Sequence, residues 1–390
     1  MAAIAATALL AGGALRVSGD QAWKGPTTKQ LVRLGFEEQQ AARRTGEPTH
    51  YTRSERALRQ ALAQDPNDVR ALIGLASLSN TRHHFREGLV LARRARSLAP
   101  DTALVYGVIG DALIELGRYE AGFRSYDRMV ELKPSIAGYA RIAQGRLLLG
   151  DAAGARAAID VALDSAVDAE TRAWAYVELG RIDRSRGRFA AAASQFWKAL
   201  RVSPDNPLAL EALGETEAAR GNLRRAIALE RHAVERRFSP EFAASLGDLY
   251  SVIGNTAAAR RAYAEVRDQE RRLAENGVDT DIDRAMFQLE HGIDLAGSLE
   301  LARRGYRQRP GLEANEVLSW ALIRNGRCEE AIPYSDRALR FPDGHRFFHR
   351  GMIERCLGRK AAAERFFRKA LTTDPNFSPI WARFARAQLR

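Results

Sequence analysis

The chain has 390 residues, of which 46% are apolar and 28% charged, and its formal net charge is +12. That balance excludes a disordered chain, and the length suits either several ordinary domains or one elongated unit. Basicity fits an anionic partner, but only Lys24, Lys29, Lys133, Lys198, Lys360 and Lys369 are lysines, and a GC-rich genome also yields such an Arg- and Ala-rich composition.

In chain order, Met1 to Leu15 comes first, carrying no charged side chain and built from Ala, Leu, Ile, Gly and Thr. It has the length of a signal-peptide apolar core without the basic start, so residues 1–22 are expected to be an export signal or membrane tether. The expected location is therefore extracytoplasmic; the alternative is a frayed Ala-rich helix on a cytoplasmic protein. No later segment approaches the roughly 18 continuous apolar residues of a membrane span.

Beyond this segment the chain repeats itself. GRYEAGFRSYDRMVELKP (117–134), GRFAAAASQFWKALRVSP (187–204) and GRKAAAERFFRKALTTDP (358–375) share length, Gly-Arg start and Pro end. Pro66, Pro100 and Pro134 are 34 apart, while Gly117, Gly150, Gly187, Gly221, Gly254, Gly326 and Gly358 recur in another phase. A period of this size fits two helices with two turns. Around the middle copy, Tyr176, Leu179, Gly180 and Asp183 form one helical stripe. Phe189, Ala192, Phe196 and Ala199 form a second, with Gly187 as the break between them. Pro204 stops the second helix, and Asp205 is expected to cap the next.

Leu-Gly, Tyr, Gly, Ala, aromatic, Ala and Pro at these positions resemble the tetratricopeptide repeat family. Tyr176, Leu179, Gly180, Gly187, Phe189, Ala192, Phe196, Ala199 and Pro204 carry the pattern, as do Leu246, Gly247, Tyr250, Gly254, Ala259 and Tyr263. The resemblance implies an all-α, right-handed α-solenoid of about ten antiparallel helix pairs over residues 28–375, with a capping helix in 376–390. Two places depart from the pattern: Gly46 to His50 is degenerate, and Arg271 to Gly277 is an insertion before a repeat lacking its Leu-Gly pair. Stacking is expected to be least regular there. A pentatricopeptide RNA reader has a similar period, but no polar pair recurs at one place to read bases, so no specific nucleic acid is expected.

No catalytic constellation or cofactor motif is found. His345 and His349 share a helix face without a third ligand, so no metal site is assigned. Asp279, Asp281, Asp283 and Glu290 match calcium-loop spacing, but Arg284 stands where the loop needs Gly, and helix capping is the simpler reading. His83 and His84 are expected to be solvated in a turn. Cys328 opens one second helix and Cys356 closes the following first helix, so the sulfurs are expected to meet, either as a disulfide or as two buried thiols.

The resemblance further implies a non-catalytic scaffold whose first helices line a concave surface that binds a protein or peptide. Arg181, Arg184, Glu211, Glu215, Asp248, Asp283, Glu290, Glu316, Trp320 and Phe348 fall on or near that surface. Its carboxylates predict an acidic groove for an extended, basic or neutral segment. Trp320 and Phe348 are candidate anchors for an aromatic side chain, the other reading being solenoid core. Ile73, Ser77, Gly107 and Asp111 stand where some members clamp acidic chaperone tails with Lys and Asn, which disfavours that ligand. The alternative functions are a regulatory arm of an enzyme complex, or peripheral binding of an anionic polymer or membrane through Arg93, Arg94, Arg96, Arg224, Arg225, Arg260, Arg261, Arg303 and Arg304 on second helices.

Overall fold

A computed structural model describes residues 25–390, so the segment expected to be a signal or tether lies outside the described residues. The described chain forms ten antiparallel helix pairs and one short final helix. In the first half, α1 (Thr28–Thr45) pairs with α2 (Thr49–Gln64), α3 (Val69–Thr81) with α4 (Phe85–Leu98), and α5 (Ala103–Glu115) with α6 (Tyr119–Leu132). Next, α7 (Ile136–Leu148) pairs with α8 (Ala152–Asp164), and α9 (Ala169–Arg184) with α10 (Phe189–Val202). In the second half, α11 (Pro207–Ala219) pairs with α12 (Leu223–Arg236), α13 (Pro240–Val252) with α14 (Thr256–Glu275), and α15 (Asp281–His291) with α16 (Leu295–Gln308). The last pairs are α17 (Leu312–Arg324) with α18 (Cys328–Ala338) and α19 (Gly344–Cys356) with α20 (Lys360–Thr373), followed by α21 (Trp381–Ala387).

Local chemistry sets these boundaries. Asp68, Ser135, Asp168, Asn206 and Ser239 each accept a backbone N–H of the first turn of the helix that follows. Asn206 thus caps α11, and Asp205 instead pairs with Arg236 at 2.8 Å, because the cap position lies one residue later than expected. Within pairs, small residues let the axes approach. Gly180 faces Phe196, whose Cε1 would lie 2.3 Å from any added Cβ, and Ala192 and Phe196 are both fully buried. No helix among the described residues is long and apolar enough to cross a membrane.

Successive turns of the superhelix touch along a seam. The α1–α2 loop meets the α12–α13 loop and the end of α14: Gln269 donates to the Gly46 carbonyl at 3.0 Å, and Arg237 to that of Arg43 at 3.3 Å. The α3–α4 turn meets the α14–α15 loop, where the Asp279 N–H donates to the Arg82 carbonyl at 3.0 Å. His83, expected to be solvated, is half-buried and lies 2.8 Å from the Asp279 carbonyl, and burial pushes its pKa down to about 4; His84 is exposed as expected, and lies 2.8 Å from the Gly277 carbonyl. Further along, Tyr119 packs edge-on against Phe341 at 4.6 Å, and Asn376 donates to the Ala219 carbonyl at 3.2 Å. The inserted residues extend α14 to 20 residues and supply the seam, and the stack is least regular there, as expected: α14 and α15 approach each other less closely than the facing helices of any other successive pairs.

Cys328 and Cys356 form a disulfide across α18 and α19, with Cα atoms 6.2 Å apart, inside the range such a bond spans.

Candidate functional site

The odd-numbered helices face one another around the interior of the superhelix. Opposite charges on neighbouring members pair in a ladder. Arg141 on α7 binds both carboxylate oxygens of Asp111 on α5, at 2.8 and 2.6 Å. Arg184 on α9 pairs with Glu215 on α11 at 2.8 Å, and Glu316 on α17 with Arg346 on α19 at 2.8 Å. Arg181 approaches Glu211 at a longer 3.6 Å, and burial and the neighbouring Glu215 push the Glu211 carboxyl well above the usual carboxylate range.

The ladder corrects the expectation of an acidic groove, since the carboxylates are taken up within the molecule. Asp248 accepts from the Tyr263 hydroxyl and sits 2.8 Å from His291 Nε2. Asp283 pairs with Arg309 at 3.2 Å, and burial and Glu313 push its carboxyl up to about 7. Asp281 pairs with Arg304 and Asp279 caps the Asp281 N–H, so the calcium-loop spacing resolves into the start of α15. Glu316 is 6% exposed, and Trp320 and Phe348 are completely buried, so these three are not open binding groups. What covers Trp320 and Phe348 is the chain's own Trp381, at 5.5 and 5.6 Å between ring centroids.

His349 lies fully inside this aromatic cluster, stacked on Trp320 at 4.5 Å. Its Nδ1 is 3.4 Å from Glu316 and its Nε2 3.8 Å from Glu290, ion-pair separations without hydrogen-bond geometry. Burial alone disfavours its charge, but the two flanking carboxylates prevail and raise it to about 9. His345 does not join it in a ligand set, and packs instead against Phe377 at 5.1 Å.

One cavity of about 510 Å³ opens on the interior between α9, α11, α13, α15, α19 and the C-terminal segment. It brings together four of the sequence-selected residues, Arg184, Glu215, Asp248 and Glu290. Arg181, Glu211, Asp283, Glu316, Trp320 and Phe348 do not line it. Sequence reasoning weighed His345 only as a metal ligand, and missed Arg383 and Arg386 of α21 and the apolar floor of Leu249, Val252 and Met286. Within the walls, Arg184 Nε and Glu290 Oε1 are buried without a hydrogen-bond partner. A cleft of about 500 Å³ beside Arg141, Trp174 and Glu178 lies on the same inner face. Of the second-helix arginines, Arg93, Arg94, Arg96, Arg224, Arg225, Arg260 and Arg261 are exposed, whereas Arg303 and Arg304 pair with Glu300 and Asp281.

The architecture is an all-α solenoid of stacked helix pairs. Models of the tetratricopeptide repeat family match residues 103–136, 170–241 and 345–377, and the chain is a tetratricopeptide repeat protein. It is similar in fold to the human IFIT1 dimer with m7Gppp-AAAA (16% identity, 81% of this chain and 72% of that one, TM-score 0.52). A tetratricopeptide repeat protein from Parabacteroides merdae aligns at 17% identity over 65% of this chain and 97% of that one, with a TM-score of 0.39. The APC/C hetero-tetramer Cut9-Hcn1 aligns at 13% identity over 95% and 78%, with a TM-score of 0.44. No curated protein matches the chain. As a repeat protein of this family it is a protein-interaction scaffold.

Proposed function

We propose that the chain captures a short, overall neutral segment of a partner protein in the interior cavity bounded by α9, α11, α13, α15 and α19. The observation that carries this reading is the composition of the walls. Two guanidinium groups (Arg184, Arg383), the His345 ring and three carboxylates (Glu215, Asp248, Glu290) converge on an apolar floor, and Arg184 keeps its buried Nε without a hydrogen-bond partner. A peptide backbone supplies one donor and one acceptor per residue, which suits a wall offering both. Because the inner carboxylates are already paired within the molecule or made less acidic by burial, a strongly basic ligand gains little there. Of the basic or neutral segment expected from the sequence, this reading keeps the neutral one. An extracytoplasmic location belongs to the same proposal, supported by the apolar start of the sequence and by the Cys328–Cys356 pair.

The test fills the cavity without touching the ladder. Val252→Trp should reduce partner capture at least tenfold, while Val90→Trp, at a residue 68% exposed on α4, should leave it unchanged. Equal capture by both variants contradicts the reading, and loss with Val90→Trp alone moves recognition to the outer surface.

A further inference from the structure

The last helix does not continue the stack. A further repeat would lay its first helix against both α19 and α20, but the 7-residue α21 packs closely against α20 alone, with Ala382 and Ala385 buried. Its Trp381 reaches back instead: Nε1 donates to Glu290 at the end of α15, and the ring meets Trp320 on α17 edge-on and Phe348 on α19. The Arg324 guanidinium lies 5.5 Å from the Trp381 ring. One turn on, Phe384 packs near Phe367 at 6.4 Å, with the Arg355 guanidinium 5.2 Å from its ring. An aromatic ring in an apolar slot, flanked by a guanidinium and answered by one polar bond, has the anatomy of an interface anchor. The helix it sits on has 7 residues, too few to hold its shape without the surface beneath, and is tethered through a stretch containing Pro375 and Pro379.

We infer that the groove of α15, α17, α19 and α20 is a receptor for a short helical segment with two aromatic residues three apart and basic residues beside them, and that the chain's own residues 376–390 occupy it in this structure. The inference rests on the inner surface being the partner-binding face, because the occupant also forms one wall of the cavity above. The partner it fits is a protein segment of the same chemistry as WARFAR (381–386): apolar rings into the groove, arginines toward the neighbouring cavity. Displacing the arm joins groove and cavity into one continuous surface. A merely structural cap would instead unfold together with α19 and α20.

The probe is a fluorescein-labelled peptide of residues 376–390, read by anisotropy against the full-length protein. The Trp381→Ala protein should bind it at least tenfold more tightly than the unaltered protein, and the same peptide carrying the Trp381→Ala change should lose at least tenfold. Where Trp381→Ala fails to fold by circular dichroism, Arg386→Ala serves, since it removes only exposed bonds to Pro375 and Asn376. Hydrogen exchange on the unaltered protein should show amides of 381–387 opening at least tenfold faster than those of α19 and α20. Equal opening rates, equal affinity for the two proteins, or binding indifferent to the peptide's Trp each overturn the inference. If the peptide fails while Val252→Trp still abolishes capture, only the arm inference falls. If the peptide binds and Val252→Trp changes nothing, the cavity reading falls instead.

Discussion

Two kinds of residue hold positions that their chemistry alone explains. Gly46 has φ of 73°, and a Cβ there would meet the Phe238 carbonyl oxygen at 2.3 Å. Gly254 has φ of 79° with open space around it. Gly254→Ala should therefore cost about 1–2 kcal/mol of left-handed strain, and Gly46→Ala clearly more, because the seam must also part; urea denaturation of both variants checks the difference. His83 stands where other pairs have this glycine, at φ of 64°, and its hydrogen bond across the seam offsets the strain. His349 is the second kind. Its pKa is raised from the ordinary 6.5 to about 9, so its contribution is complete below 6.5 and is lost as pH climbs through 9. That linkage amounts to about 3 kcal/mol at order of magnitude. The groups facing it are Glu290, Glu316, His345, Arg346 and Trp320. The melting temperature should fall between pH 6.5 and 9, and His349→Gln should flatten that slope; an unchanged slope would show that the imidazole is neutral.

At the scale of the element, stability comes from pairs of helices joined by a few polar staples. Arg346→Ala leaves the Glu316 carboxylate, 6% exposed, with His349 as its one remaining cationic neighbour and should cost about 3 kcal/mol, whereas Arg303→Ala, from an exposed pair with Glu300, should cost less than about 1 kcal/mol. Closing a 28-residue separation, the Cys328–Cys356 bond should contribute about 3 kcal/mol, seen as a lower urea midpoint in reductant. The helices themselves were legible in the sequence, because periodic apolar stripes, capping residues and αL glycines act locally. Less legible were the partners of the charges. Glu211 and Glu215 stand out as inner-face carboxylates, but Arg181 and Arg184 lie 30 and 31 residues earlier on the neighbouring inner helix. A search for opposite charges one repeat less a helical turn apart would have found this ladder. Trp320 and Phe348 read equally as core or anchor from spacing alone; what decides is Trp381, whose reach backwards no local pattern encodes.

For the whole molecule, the repeat departures carry the architecture. The degenerate stretch after Gly46 and the insertion before Val278 are the parts that meet across the seam, through Gln269 and Gly46, Arg272 and Glu47, and His84 and Gly277. Self-similarity predicts a stack but not its pitch, since pitch depends on contacts between segments nearly two hundred residues apart. With the seam closed, the proposed recognition falls inside, on the odd-numbered helices, and on that reading the exposed arginines of the even-numbered helices are a solvated coat. The most direct test places a photo-crosslinking amino acid at Val252 or Met286 in the cavity and, separately, at Val90 or Trp197 on the outer surface, in the organism that makes the protein. The account expects one partner protein to be trapped from the two interior positions and not from the outer two; trapping from the outer positions alone would contradict it.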